Sequence, residues 1–339
     1  MLNSDDPHAP LPPDHPVEDE LAQALPDRRT TLPALLRRWA LHMIPLILLG
    51  GAVYVLWREF QHLSFAEVAA AMAAWGPEAI AAALALSAFS FFLMGVVEQL
   101  GLRWMGVRIS WLRAMRGSFL ANAIAHSLGA NLLVSGAVRA RLYDRHGVNL
   151  SQVAGATLFG GVSFAVGLAA LGGMGLLLSG PQELAASAIP ESLARGLGFV
   201  LLSGAAGYIA LCALRREPLH AFNRSFALPS VRAALGQLVI GIADNGVAAA
   251  IIWILLPGGA VSYPTFVGAY AVACVAGLAS TVPAGAGVFE SSLATLLPGP
   301  EAAHLAAAFL GYRLAYYLLP LVIAVAALAV DALRHPRRA

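Results

Sequence analysis

Residues 264–297 form an apolar stretch broken at its middle by Thr281, Val282, Pro283, Ala284, Gly285, Ala286, Gly287, Val288, Phe289 and Glu290. Proline has no N–H to give to a helix and glycine holds its backbone loosely, so a helix cannot run through this point unbroken. In hydrocarbon, interrupted backbone is stable only where protein buries it or a watery cavity meets it, and a carboxylate just beyond the break makes the same demand. The stretch therefore reads as a working site inside a membrane, with helix breaks at Pro283, Gly285 and Gly287.

The surrounding chain agrees. Hydrophobic residues make up 59% of it and charged residues 12%, where a soluble domain carries about 25% charged residues. Such a chain is an integral membrane protein. Cys212 and Cys274 lie in apolar runs without paired spacing, so neither a disulfide framework nor a zinc site is expected.

Residues 1–38 are acidic and proline-rich with a basic end at Arg37 and Arg38, and are expected to be a disordered cytoplasmic tail. No short apolar core with a cleavage site opens the chain, so the first span itself is expected to direct insertion. Apolar runs long enough to cross a bilayer, which takes roughly 17 to 25 residues, occur at 39–57, 78–99, 151–178, 196–214, 234–256 and 304–330. Between the first two, Ser64 with Glu67 opens a short alanine-rich helix ending near Trp75, expected along the outer interface. The span at 151–178 is rich in glycine, the small-residue surface that lets helix backbones approach in lipid.

Two further segments do not fit as crossings. Residues 118–136 are interrupted by Asn122, His126, Gly129 and Asn131, with arginines on both sides, which predicts a re-entrant helical hairpin broken at Gly129. Residues 264–297 have loop residues of the opposite face at both ends, which predicts a second hairpin entering from outside. This layout puts Arg58 and Arg195 outside, Arg313 within the bilayer and every other arginine on the cytoplasmic side, the asymmetry that orients membrane proteins. The expected fold is an all-α membrane protein over residues 39–333, of about six full spans and two re-entrant hairpins in an inverted repeat. Both termini are cytoplasmic, with a basic tail at 334–339. Broken hairpins from opposite faces are the pattern of a transporter with its site near the midplane.

A charge deep in a bilayer costs about 2.5 to 3.5 kcal/mol on insertion scales, so each needs a partner or a purpose. Asp244 in mid-span, Glu290 after the break and Arg313 are the strongest candidates, and Arg313 is also read as a counter-ion to Glu290 or Asp244. Arg139 and Arg141 stand at the mouth of the first hairpin, and arginine matches phosphate oxygens with a planar fork. Asn122 and Asn131, in the same hairpin, are candidate substrate-binding residues together with Arg139, Arg141, Asp244, Glu290 and Arg313. Glu98, close to the inner interface, is expected to be solvated. His126 and His304 are isolated, so no metal and no cofactor are expected. No hydrolase elbow or nucleotide-binding loop occurs, and no enzymatic activity and no nucleic-acid partner are expected.

The run Asn122 to Leu142, with Ser135, Gly136, Ala137, Val138, Arg139, Ala140, Arg141 and Leu142 after its polar-interrupted helix, resembles the membrane domain of bacterial lysylphosphatidylglycerol synthase/flippase proteins. Pro283 to Glu290 resembles that family's Pro-Gly-Gly-x-Gly-Val-x-Glu break, with Ala284 where the family often has glycine. The resemblance covers about residues 39–333 and implies a domain that moves aminoacylated phosphatidylglycerol, or a related lipid, between leaflets. The chain runs to Ala339 without the family's soluble aminoacyl-transferring domain, so synthesis of the lipid is not expected of it.

The function expected from the sequence is a lipid flippase of the bacterial inner membrane, its partner a membrane phospholipid, with a homo-oligomer or a lipid-synthesis enzyme as a further partner. A small-solute or ion transporter, and a non-transporting accessory subunit, are the alternatives.

Overall fold

Caps and prolines set where the helices begin. A computed structural model of the chain describes residues 65–334 apart from 129–130, 188, 216–218, 222–223, 227, 281–286 and 298, and every described residue belongs to one compact unit. The expected tails, the first span at 39–57 and the breaks at Gly129, Pro283 and Gly285 lie outside the described residues. The first described helices are α1 (Phe65–Ala73), α2 (Pro77–Trp104), α3 (Trp111–Leu128) and α4 (Asn131–Tyr143). They are followed by α5 (Leu150–Leu178), the short α6 (Pro181–Ala186), α7 (Glu191–Leu214), α8 (Val231–Trp253), α9 (Tyr263–Ala279) and α10 (Val288–Leu296). The last helix starts as α11 (Ala302–Tyr312), widens into a π-helical segment at Arg313–Leu318 and resumes as α12 (Leu319–Arg334).

Pro77 and Pro181 sit in the first turns of α2 and α6, where a missing N–H costs nothing. The Asn149 side chain accepts from the Gln152 N–H at 2.9 Å while the Gln152 side chain accepts from the Asn149 N–H at 3.0 Å, a reciprocal cap that starts α5. Ser230 and Ser262 cap α8 and α9 in the simpler way.

Among the described residues, five helices are long and apolar enough to cross a membrane: α2, α5, α7, α8 and the continuous run Ala302–Asp331. They match five of the six expected spans. The two segments expected to be interrupted are each a pair of shorter helices, α3 with α4 and α9 with α10, and within each pair the helices pack on one another. One departure from an all-α fold is a small antiparallel hairpin between α7 and α8, with β1 (Leu219–Ala221) against β2 (Arg224–Phe226) and Leu219 opposite Phe226. The expected short helix after Ser64 is α1, and it docks Val68 and Ala71 onto Ala306 and Ala307 of α11.

The central element is α5, which packs against α2, α4, α7, α8 and α9. Its glycines make this possible. A Cβ on Gly167 would lie 2.1 Å from the Gly241 carbonyl carbon of α8, and one on Gly241 would lie 2.1 Å from the Ser163 carbonyl oxygen. The outside is the reverse of a soluble protein: Leu178, Phe199, Val200 and Leu214 are all more than half exposed, while Glu98, Arg139, Glu290 and Arg313 are buried. Apolar faces of this extent are stable against hydrocarbon rather than water.

Candidate functional site

Among the described residues, two buried ion pairs and one further carboxylate mark the polar interior. The first pair joins the first broken helix pair to a long helix. Arg139 of α4 is 6% exposed and its Nε donates to Glu98 Oε2 of α2 at 2.7 Å. Tyr143, one turn further along α4, donates its hydroxyl to Glu98 Oε1 at 2.9 Å, and its ring end lies over Gly117 of α3, where a Cβ would collide with it. Arg139 Nη2 also reaches Asn122 Oδ1 of α3 at 3.5 Å, and Asn122 in turn donates to Ser118 Oγ at 3.0 Å. Glu98 is therefore buried and doubly bonded, not solvated as its position near the end of the span suggested. The helix packing of α2, α3 and α4 removes it from water.

The second pair joins the second broken helix pair to the last helix. Gly287 has φ +81°, which glycine adopts without a Cβ penalty, and it begins α10. Glu290, three residues on, turns back so that Oε2 accepts the Gly287 N–H at 3.0 Å, while Oε1 accepts from Arg313 Nη2. The carboxylate thus satisfies an end of α10 and the guanidinium at once, and its negative charge stands at a helix N-terminus, where it is favoured. Arg313 also lies over the Tyr317 ring, 5.2 Å from its centroid. Of the two counter-ions considered for Arg313, Glu290 holds it.

The π-helical segment that carries Arg313 has a local cause. Pro320 has no N–H for the carbonyls of the preceding turn, and its ring crowds them. The Ala315 carbonyl is instead taken by the Ser87 hydroxyl of α2 at 2.8 Å. The wider turn sets Tyr312, Tyr316 and Tyr317 into one aromatic group. Tyr312 and Tyr316 stack at 5.1 Å, and His126 of α3 stacks on Tyr316 at 5.4 Å. Insertions of this kind recur at functional sites.

Asp244 of α8 stands apart from both ion pairs. Its carboxylate accepts from Ser90 Oγ of α2, and the same hydroxyl is 2.8 Å from the Tyr316 hydroxyl. Beside it Asn245 donates to the carbonyls of Phe164 and Gly241, tying α8 to α5.

The structure brings Arg139 and Asn122 together, which the sequence did not propose, and Glu290 with Arg313, one of the two counter-ions the sequence offered. It does not bring Arg141 to either pair: Arg141 is exposed on α4, two residues after Arg139 and so roughly half a turn around the helix from the buried face. Asn131 begins α4. His304 pairs with Glu301 at 3.7 Å on an exposed turn. Among the described residues no three His, Cys, Asp or Glu side chains gather as a metal site requires. Glu98 was considered and set aside as solvated, and Ser90, Tyr143 and Tyr316 were missed by sequence reasoning. A signal existed for α2, where Ser87, Ser90 and Glu98 at spacings of 3 and 8 residues lie on neighbouring rows of one helix face.

These features define a helical membrane protein whose interior charges are held between broken helix pairs and long helices. The chain matches the family model described as the lysylphosphatidylglycerol synthase TM region over residues 43–324, and it belongs to that family. It is 30% identical over 282 residues to the uncharacterized protein slr0712 of Synechocystis sp., covering 82% of this chain and 88% of that one. It is also 30% identical over 252 residues to the inner membrane protein YbhN of Escherichia coli, covering 73% of this chain and 78% of that one.

Proposed function

We propose that this protein is a lipid flippase of the bacterial inner membrane that moves an anionic or aminoacylated phospholipid between leaflets. The observation that carries the reading is the pair of buried ion pairs, each with one partner on a broken helix pair and the other on a long helix. Burying two charges usually costs more than their attraction returns, and a well-packed apolar pair would serve stability as well. Charges kept there at that cost are suited to a ligand that is itself charged. In this reading α3–α4 and α9–α10 are re-entrant hairpins entering from opposite faces, the halves of an inverted repeat. The spans number six with 39–57, and the termini are cytoplasmic.

The lipid phosphate would compete with Glu98 for the guanidinium of Arg139, whose fork accommodates two oxygens, while Asn122 supplies an amide. Glu290 and Arg313 would open and close the second hairpin in the same exchange of partners. Acyl chains stay in the bilayer as the headgroup crosses. No bond is made or broken in the lipid, so the activity is transport and not catalysis. Membership of the family and the name of the YbhN relative, an inner membrane protein, support the class of lipid and the location.

One observation favours a second reading, an accessory subunit of a lipid-modifying pathway. Both guanidiniums already hold a carboxylate, which is what a purely structural role would show. The test uses the protein in liposomes with fluorescent or aminoacylated lipids on one leaflet. Leaflet exchange above that of empty liposomes is expected, and exchange equal to empty liposomes across a broad lipid panel would overturn the flippase. The charge-swapped double variant Glu98→Arg with Arg139→Glu keeps a pair but misplaces the guanidinium: a flippase keeps its fold and loses exchange, whereas an accessory subunit keeps both fold and partner.

A further inference from the structure

Among the described residues, the charges between the helices sort into two buried arginine–carboxylate pairs and one partly covered acid, Asp244, that has no cation within ion-pair distance. Asp244 sits in the middle of α8, thirteen residues after its start, and is only partly covered. Its hydrogen-bond partner is the Ser90 hydroxyl, wholly buried, which is shared with the hydroxyl of Tyr316, 5% exposed.

The groups on the elements packed around α8 do not supply a compensating charge. From α5 there is no titratable side chain at all. From α9, Tyr263 donates to the Gly246 carbonyl at 2.6 Å, and Tyr270 and Cys274 are neutral. From α7, Tyr208 donates to Gln237, two turns from Asp244, and Cys212 is neutral. From α2, Glu98 is committed to Arg139 and Tyr143. From α11 and the segment after it come Tyr312, Tyr316 and Tyr317, with Arg313 held by Glu290. His126 of α3 stacks on Tyr316. A carboxylate placed in hydrocarbon without a cation is stabilised by taking a proton.

We propose that Asp244 is a proton-binding site, and that Ser90 and Tyr316 form the hydroxyl chain through which the proton reaches it. An O–H bond forms on Asp244 as one breaks on a water-borne proton at one membrane face, and the reverse step returns the proton at the other face. Partial coverage of Asp244 leaves it within reach of such exchange, and Ser90 can turn its hydrogen toward either neighbour. If the flippase reading holds, Asp244 supplies its energy source: a proton crosses with, or against, each lipid. The proton site itself does not rest on that reading.

The test is infrared difference spectroscopy of the full chain in lipid at neutral pH. A protonated-carboxyl C=O band is expected in the wild type, lost in Asp244→Asn, shifted in Ser90→Ala and unchanged in Arg141→Gln. Carbon-13 labelling of aspartate carboxyls in the wild type moves the same band and does not depend on how any variant folds. Absence of the band, or a band indifferent to both the label and Asp244→Asn, would overturn the site. In liposomes, lipid exchange that responds to an imposed pH gradient in the wild type and not in Asp244→Asn supports coupling; exchange that still responds in Asp244→Asn refutes it. Absence of lipid exchange under every condition with the band behaving as expected would remove the flippase and leave the proton site standing.

Discussion

Glu98 shows how a single side chain can govern a buried site. Its two oxygens answer Arg139 and Tyr143, so removing it strands a guanidinium and a hydroxyl in the interior. Breaking a buried pair from one side costs on the order of 3 to 5 kcal/mol, because the remaining charge has no solvent to replace its partner. Glu98→Ala is therefore expected to lower the thermal unfolding temperature of the detergent-purified protein sharply, and Glu98→Ala with Arg139→Ala to recover much of the loss. Additive losses in the double variant would show that the two side chains do not act as a pair. Tyr143→Phe keeps the ring and removes one donor to a charged acceptor, a loss of about 1.5 to 3 kcal/mol. Comparing its unfolding temperature with that of the wild type checks this directly.

Between elements, the closest contact is that of α5 with α8, where glycine backbone meets glycine backbone. Without a hydrophobic force between helices in lipid, such contact rests on dispersion and on how near the backbones come. Gly167→Ala and Gly241→Ala each force the helices apart, since the atom met is backbone and cannot turn aside. Overpacking of this kind costs about 1 to 3 kcal/mol. Gly204→Ala and Gly207→Ala on α7 are the internal controls. Nothing lies within 4 Å of either added methyl, and alanine is the better helix former by about 1 kcal/mol. Thermal unfolding should place the first two variants below the wild type and the last two at or above it.

Across the molecule, one feature outside the long helices ties the arrangement together. Glu183 of α6 accepts from the Ser262 N–H at 2.8 Å, the Ser262 hydroxyl at 2.7 Å and the Thr265 hydroxyl at 2.6 Å, clamping the start of α9. Burial pushes its carboxyl up, but these hydrogen bonds together outweigh that and hold it below the usual carboxylate range. A depressed folded value means that the stabilisation is fully present above the unfolded glutamate value, about 4.3, and is lost as pH falls through the folded one. The unfolding temperatures of the wild type and Glu183→Gln should differ by a constant amount at neutral pH and converge only in that acidic range. Convergence nearer neutral pH would contradict the clamp. The orientation of the whole chain is open to labelling, because Cys212 is buried and Cys274 partly so. Glu301→Cys in spheroplasts is expected to react with an impermeant maleimide, and Arg145→Cys only after permeabilisation.

What the sequence determined alone is the solvent and the places where helices must stop. Apolar runs at 78–99, 151–178, 196–214, 234–256 and 304–330 became helices with boundaries displaced by a few residues, because length and hydropathy leave no other stable state in a bilayer. Gly287 was read as a break because glycine holds its backbone loosely, and in the structure it stands at φ +81° before the first residue of α10. The pairing of Arg313 with Glu290 was read as one of two options, since both are long-range and each was chemically sound. The tertiary structure decided which carboxylate met which arginine, buried Glu98, turned Arg141 outward and gathered Ser90, Asp244 and Tyr316 from three separate parts of the chain. Those choices depend on helix rotation and on the glycine contacts that set the distance between axes, and neither is encoded in any single segment.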